Sequence, residues 1–263
     1  MNILKKLRNK QCSERMLQLI GDEVNAMNKI VIIGDIHGRN IWERIIENEE
    51  DFSLIVFLGD YFDSYNDMTS TEEYTNFMNI LKFKDDNSDK VVLLTGNHDL
   101  HYIDGIRHYS RYSHETKKLL GNSISNLINE NKLQATKLLA NLLFVHAGIT
   151  NTWLRDNRLK LDEAEINNFL KTNTAQFDFQ KRSGIVDFLG EEVFQGPLWI
   201  RPLGAEKDLP FGVIQMVGHT QTNPAEDFAL QKINVCDSLG WGKYYTLEKN
   251  EKSIWKFNLK SKI

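Results

Sequence analysis

Five short, almost unbroken apolar runs constrain this chain more than any other feature, because each ends beside a glycine and an acidic, amide or imidazole side chain. They are KIVIIGD (Lys29 to Asp35), SLIVFLGD (Ser53 to Asp60), KVVLLTGNHD (Lys90 to Asp99), NLLFVHAG (Asn141 to Gly148) and GVIQMVGHT (Gly212 to Thr220). Strands that are apolar throughout, rather than alternately, are covered on both faces, as in a mostly parallel sheet between helices. Helical patterns fill the gaps. Asn40 is placed to cap a helix carrying Ile41, Trp42, Ile45 and Ile46, and Leu119, Leu120, Ile124, Leu127 and Ile128 share the spacing of one helix face. Strand, helix and strand in alternation predict an α/β fold. The segment INVCDSLGWGKYYTLEKNEKSIWKFNL reads as short strands separated by turns, an antiparallel meander. Residues 1–28 read as an N-terminal helical extension and residues 29–263 as a single domain.

Composition narrows the function. A chain of 263 residues can bury a sizeable core. Its 32 basic and 36 acidic residues leave a formal charge of −4, which disfavours long nucleic acid as a partner. Two cysteines, Cys12 and Cys236, are too few for a disulfide framework and suit a reducing compartment. The basic N-terminus lacks the apolar stretch of a signal peptide, and no run approaches the roughly 18 residues of a membrane span. A cytoplasmic protein with no membrane partner is expected.

The polar residues fall where ligands bind. Open α/β sheets take ligands at the carboxyl ends of their strands. There the motifs Gly34-Asp35-Ile36-His37-Gly38, Gly59-Asp60-Tyr61-Phe62-Asp63, Gly96-Asn97-His98-Asp99, His146-Ala147-Gly148 and Gly218-His219-Thr220 deliver Asp35, His37, Asp60, Asn97, His146 and His219 to one sheet edge. Carboxylates gathered away from water repel one another and must protonate or find a cation. Oxygen and imidazole donors without thiolate suit Mn, Fe or Zn better than Ca or Mg. Six donors exceed the need of one open ion, so two divalent transition-metal ions sharing a carboxylate fit the count.

The motifs GDIHG, GDYFD, GNHD, VHAG and GHT, in this order from Gly34 to Thr220, resemble those of the calcineurin-like metallophosphoesterases, in particular the phosphoprotein-phosphatase-like branch. The resemblance implies a four-layer α/β/β/α sandwich of two mixed sheets flanked by helices, and a phosphoesterase with two metal ions, manganese first among them. It implies Asp35 and His37 on the first metal, Asp60 bridging, and Asn97, His146 and His219 on the second. His98 would be the general acid, oriented by Asp63, while a metal-bridging hydroxide attacks phosphorus. Arg201, in GPLWIRPLG, would bind the substrate phosphate together with Asn97 and His98. Arg39, Arg107 and Arg111 are further candidates. Relatives usually read GDxxDRG at the second motif, whereas here Ser64 follows Asp63, so the arginine that clamps phosphate is missing.

The expected function is hydrolysis of a phosphate monoester borne by a small molecule, nucleotide or phosphoprotein. Its rivals are a dinucleoside polyphosphate hydrolase, a phosphodiesterase and a non-catalytic scaffold. Asp99 reads as a structural hydrogen-bond acceptor, His101, His108 and His114 as parts of a covering segment, and Gly240-Trp241-Gly242-Lys243 as a hairpin turn.

Overall fold

The structure is a computed structural model that describes residues 27–223, 231–251 and 254–261. The helical reading of residues 1–28 therefore lies almost wholly outside the described residues. The five apolar runs do form strands, but they divide between two sheets. Strands β1 (Lys29–Ile33), β2 (Leu54–Phe57), β3 (Val91–Leu94) and β4 (Leu133–Gln134) run parallel in the first sheet. In the second, β5 (Thr136–Leu139) pairs antiparallel with β6 (Leu142–Val145), which runs parallel to β7 (Ile214–Val217) and onward to β8 (Ile233–Val235).

The C-terminal segment departs from the expected meander. Instead of pairing with its own successor, β8 joins the second sheet, and the chain then crosses to the first. There β9 (Lys243–Lys249) and β10 (Trp255–Ser261) form a hairpin whose inner strand lies antiparallel to β1. The resulting orders are β10-β9-β1-β2-β3-β4 and β5-β6-β7-β8. Gly240-Trp241-Gly242-Lys243 belongs to the crossing, a tight helical turn ending in a left-handed Gly242, so it is a turn but not a hairpin.

Two cores explain why the strands lack polar faces. Ile30 and Ile32 of β1 meet Phe144 of β6 and Met216 of β7 between the sheets. The alternate residues Val31 and Ile33 face the other way, packing in one cluster with Trp42 and Ile45 of α1 (Ile41–Asn48) and Phe77 and Ile80 of α2 (Ser70–Asp86). Each such fully buried side chain contributes about 1.5–3 kcal/mol of transfer free energy. The second sheet is covered in the same way. Leu143, Val145 and Val217 join Trp153 of α6 (Asn151–Asp156) and Ile166 and Leu170 of α7 (Glu163–Thr172). The architecture is mixed α/β, two mixed sheets flanked by helices.

Local chemistry sets the helix ends. Thr69 begins α2 with a capping box, its hydroxyl accepting from Glu72 N–H while the Glu72 carboxylate accepts from Thr69 N–H. Asn40 precedes α1 but makes no side-chain cap. The apolar face expected over Leu119 to Ile128 belongs to two helices, α4 (His114–Leu120) and α5 (Ser123–Asn129), because Gly121 turns the chain at φ 53°. Periodicity alone does not register such a break. No helix among the described residues is long and apolar enough to cross a membrane.

Candidate active site

The carboxyl ends of β1, β2 and β3 from one sheet and of β6 and β7 from the other converge on a cleft of about 430 Å³. Asp35, His37, Asp60, Asn97, His98, Arg201 and His219 line it, with His146 fully buried behind them. All six expected donors are thus brought together. Four cleft-side residues that are not glycine, His37, Asp60, Asp63 and His219, sit at φ between 43° and 65°. Such left-handed backbone is uncommon for side chains with a Cβ and concentrates where a site requires it.

Asp60 is the pivot. Its Oδ1 accepts from His98 N–H at 2.8 Å, leaving Oδ2 to face His37 Nε2 at 3.7 Å and His146 Nε2 at 3.6 Å. Both imidazoles have the Nδ1 proton committed elsewhere, His37 to Phe62 O and His146 to Leu58 O, each at 2.8 Å. A neutral ring that donates from Nδ1 presents a lone pair at Nε2. Burial, against the attraction of Asp60, lowers both rings' pKa values, that of His37 to about 4, so they are neutral at pH 7. Asn97 Oδ1 lies 2.9 Å from both His146 Nε2 and His219 Nδ1. Lone pairs therefore meet lone pairs on two sides of one carboxylate oxygen. His219 Nε2 is buried with no hydrogen-bond partner, and burial with His146 and Arg201 nearby drives that ring's pKa far down.

Two of the acids, Asp35 and Asp237, tell the same story. Asp35 accepts twice from His219 N–H at 3.0 Å, yet burial, Asp237 and Asp60 raise its pKa well above the carboxylate range. Burial also lifts Asp237 to about 6, with Asp60 adding to the shift and Arg39 opposing it. Acceptors facing acceptors, and acids forced toward protonation, are what a cation would relieve. Asp35, His37 and Asp60 form one compact donor group, and Asp60, His146 and His219 another. Donors separated by 3.6–3.7 Å match ligands that each hold one ion at about 2.0–2.2 Å. The residues fit two divalent ions that share Asp60.

Backbone contacts hold this geometry. Asp99 accepts from Asp60, Tyr61 and Gly96 N–H at 2.7–2.9 Å, tying the second motif to the third. A Cβ on Gly218 would lie 2.3 Å from Asp35 Oδ1. Gly218→Ala is expected to push that carboxylate aside, at an overpacking cost of about 1–3 kcal/mol, and to weaken Mn²⁺-induced thermal stabilisation. Melting curves with and without Mn²⁺ check this, and a wild-type response would contradict it.

His98 Nδ1 lies 2.7 Å from Asp63 Oδ2. Burial disfavours its charged form, but Asp60 and Asp63 outweigh that and hold its pKa above the usual value. Sequence reasoning did not find the rest of this cluster. His101 Nε2 also lies 2.7 Å from Asp63 Oδ2, off the direction of a well-formed hydrogen bond, and Tyr102 Oη donates to Oδ1. His101 is therefore fully inside, not a covering residue, and its position three residues after His98, capping the short helix α3 (Asn97–Leu100), was the available signal. Asp237 was missed too, although it follows the INVC strand as Asp35 and Asp60 follow theirs. Tyr65, Tyr109, Ser110, Trp199 and Gln221 complete the cleft wall.

The arginines separate. Arg201 donates from Nε to Leu189 O and from Nη1 to His219 O and Thr220 Oγ1, fixing it in the wall. Arg39 is also in the wall, bonded through Nη1 to Asp35 O and Ile36 O. Arg107 lies 5.7 Å from the Tyr109 ring centre and does not line the cleft. His108 and His114 surround Tyr112 away from it.

A fold of two mixed sheets with paired carboxylate–imidazole donors at their strand ends is that of a metal-dependent phosphoesterase. The sequence matches the model of the calcineurin-like phosphoesterase family over residues 28–220, and the chain belongs to that family; it is a hydrolase. Similar solved structures include a cold-active protein-tyrosine phosphatase of a psychrophilic Shewanella species. It is 22% identical, with TM-score 0.57, covering 86% of this chain and 76% of that one. A protein serine/threonine phosphatase of Saccharomyces cerevisiae is 15% identical, with TM-score 0.51, covering 97% and 90%. A metallophosphoesterase of Sphaerobacter thermophilus is 15% identical, with TM-score 0.51, covering 89% of each chain. No protein of curated function matches the sequence.

Proposed function

We propose that the protein is a binuclear phosphomonoesterase, with Asp35, His37, Asp60, Asn97, His146 and His219 holding two divalent transition-metal ions, Mn²⁺ foremost and Fe or Zn as alternatives. The observation that carries this reading is Asp60 Oδ2 facing the Nε2 lone pairs of His37 and His146, with both Nδ1 protons tied to backbone carbonyls. When bound, such ions provide a nucleophile at neutral pH and neutralise charge on phosphoryl oxygens.

The chain's own groups do the rest. Arg201 and Arg39 stand in the cleft wall and suit the two negative charges of a monoester, since guanidinium donates in pairs to phosphate oxygens. His98, protonated and held by Asp63, donates its Nε2 proton to the departing oxygen, and Asn97 and His98 flank the phosphoryl group. Asp63 keeps the imidazole in orientation and favours its charged form. Two cysteines, of which Cys236 is buried, accord with a reducing, cytoplasmic setting.

Hydrolysis of p-nitrophenyl phosphate, stimulated by Mn²⁺ and abolished by chelator, tests the reading. A panel of phosphopeptide, diadenosine tetraphosphate and bis-p-nitrophenyl phosphate assigns the substrate class. Preference for the tetraphosphate or the diester would overturn the monoester assignment, and inactivity with every divalent transition metal would overturn the enzyme itself.

A further inference from the structure

The cleft's fixed cations, Arg39 and Arg201, are anchored at the first and fifth motifs. The stretch leaving β2, Asp63-Ser64-Tyr65, contributes no cation of its own, although Tyr65 lines the cleft with its ring centre 4.8 Å from that of His37. Arg111 comes to this place from a distant part of the chain. Its guanidinium carbon lies 4.1 Å from the centre of the Tyr65 ring, and its Nη1 donates to Ser64 O at 3.2 Å. The two residues before it, Tyr109 and Ser110, are themselves part of the cleft wall.

Arg111 is exposed, yet its backbone sits at φ 67°, a region a residue with a Cβ occupies only when its surroundings hold it there. Among the described residues its one hydrogen bond is that to Ser64 O, which leaves Nε and Nη2 available to an anion. Stacking on an aromatic face orients a guanidinium without consuming its donors.

Resting on the phosphoesterase reading, we propose that Arg111, stacked on the cleft-lining Tyr65, is a substrate-binding residue that contacts the non-reacting oxygens of the phosphoryl group. It would do from the third motif's loop what no side chain of the second motif can do. Arg111→Asn tests this cleanly, because asparagine tolerates left-handed backbone and leaves the turn unstrained. Loss of a charge-assisted contact predicts about a tenfold fall in kcat/KM for p-nitrophenyl phosphate and about a tenfold weaker affinity for inorganic phosphate. Metal content and Mn²⁺-induced stabilisation should not change. Ser64→Arg, added to Arg111→Asn, should recover much of both losses, since it starts a guanidinium from the residue that Arg111 now contacts.

Calorimetry of the Mn²⁺-loaded protein with inorganic phosphate separates the two claims. Weaker phosphate binding in Arg111→Asn, in a protein that hydrolyses no monoester, would sustain the inference and defeat the phosphomonoesterase reading. Active enzyme with unchanged phosphate affinity and kcat/KM in Arg111→Asn would defeat the inference alone. Failure of Ser64→Arg to recover either loss would make Arg111 a support for the loop, not a substrate contact, and wild-type protein that binds no phosphate would likewise overturn it.

Discussion

Asp60→Asn is expected to leave a folded protein that neither holds two metal ions nor hydrolyses phosphate esters. The substitution is isosteric. The amide oxygen can keep the bond from His98 N–H, while the new amino group points toward the His37 and His146 nitrogens that Oδ2 now faces. Donors then meet lone pairs, which satisfies the site without a cation. The loss in kcat/KM should exceed the about 10²–10³-fold that removal of a single electrostatic contact costs, because this oxygen serves both proposed ions. For each ion bound, wild-type protein in Mn²⁺ at 100 times that site's dissociation constant should gain about 2.7 kcal/mol, or about 5–11 °C in Tm, and the variant should gain neither. Elemental analysis and melting curves give the answer independently of any substrate. A variant retaining two ions and wild-type turnover would show that Asp60 is not shared.

His98→Ala is expected to lower turnover by about 10²–10⁴-fold while metal content stays at the wild-type level. The loss should be greater for an alkyl phosphate than for p-nitrophenyl phosphate, since nitrophenolate departs readily without a proton. Loss of metal together with activity would show that His98 holds an ion instead. The proposed acid must be protonated, and its raised pKa means that activity persists upward in pH and falls as pH rises through that value. Asp63→Asn removes the hydrogen-bonded one of the three carboxylates that favour the charged ring, so the alkaline fall should move to lower pH. An unmoved alkaline limb in the kcat–pH profile would argue that a different group titrates there.

How much of this was legible beforehand differs from residue to residue. The five strands and the donors at their ends could be read directly, because a strand covered on both faces must be apolar throughout and its polar successor stands out. Partition between sheets could not, since Ile30 and Phe144 look alike whether they share a sheet or face each other across an interior. The crossing of the C-terminal segment was hidden for the same reason. Its strands carry the period of any strand, and only pairing partners distinguish a meander from a chain that changes sheets. Gly121 broke a face that was continuous in spacing, because one left-handed residue redirects a helix without altering the apolar pattern.

Side-chain partnerships beyond the motifs followed from that architecture. Asp237 reaches Asp35 because the tail crosses between sheets there, and Arg111 reaches Ser64 across 47 positions of sequence. The amino-acid order by itself determined the chemical inventory, an α/β chain with oxygen and nitrogen donors at strand termini, because burial and local turn chemistry act over a few residues. Tertiary structure alone decided which lone pairs confront one another, which protons are already taken and which arginine stacks on Tyr65. Those outcomes depend on distances between segments that meet only when two sheets close on a common core.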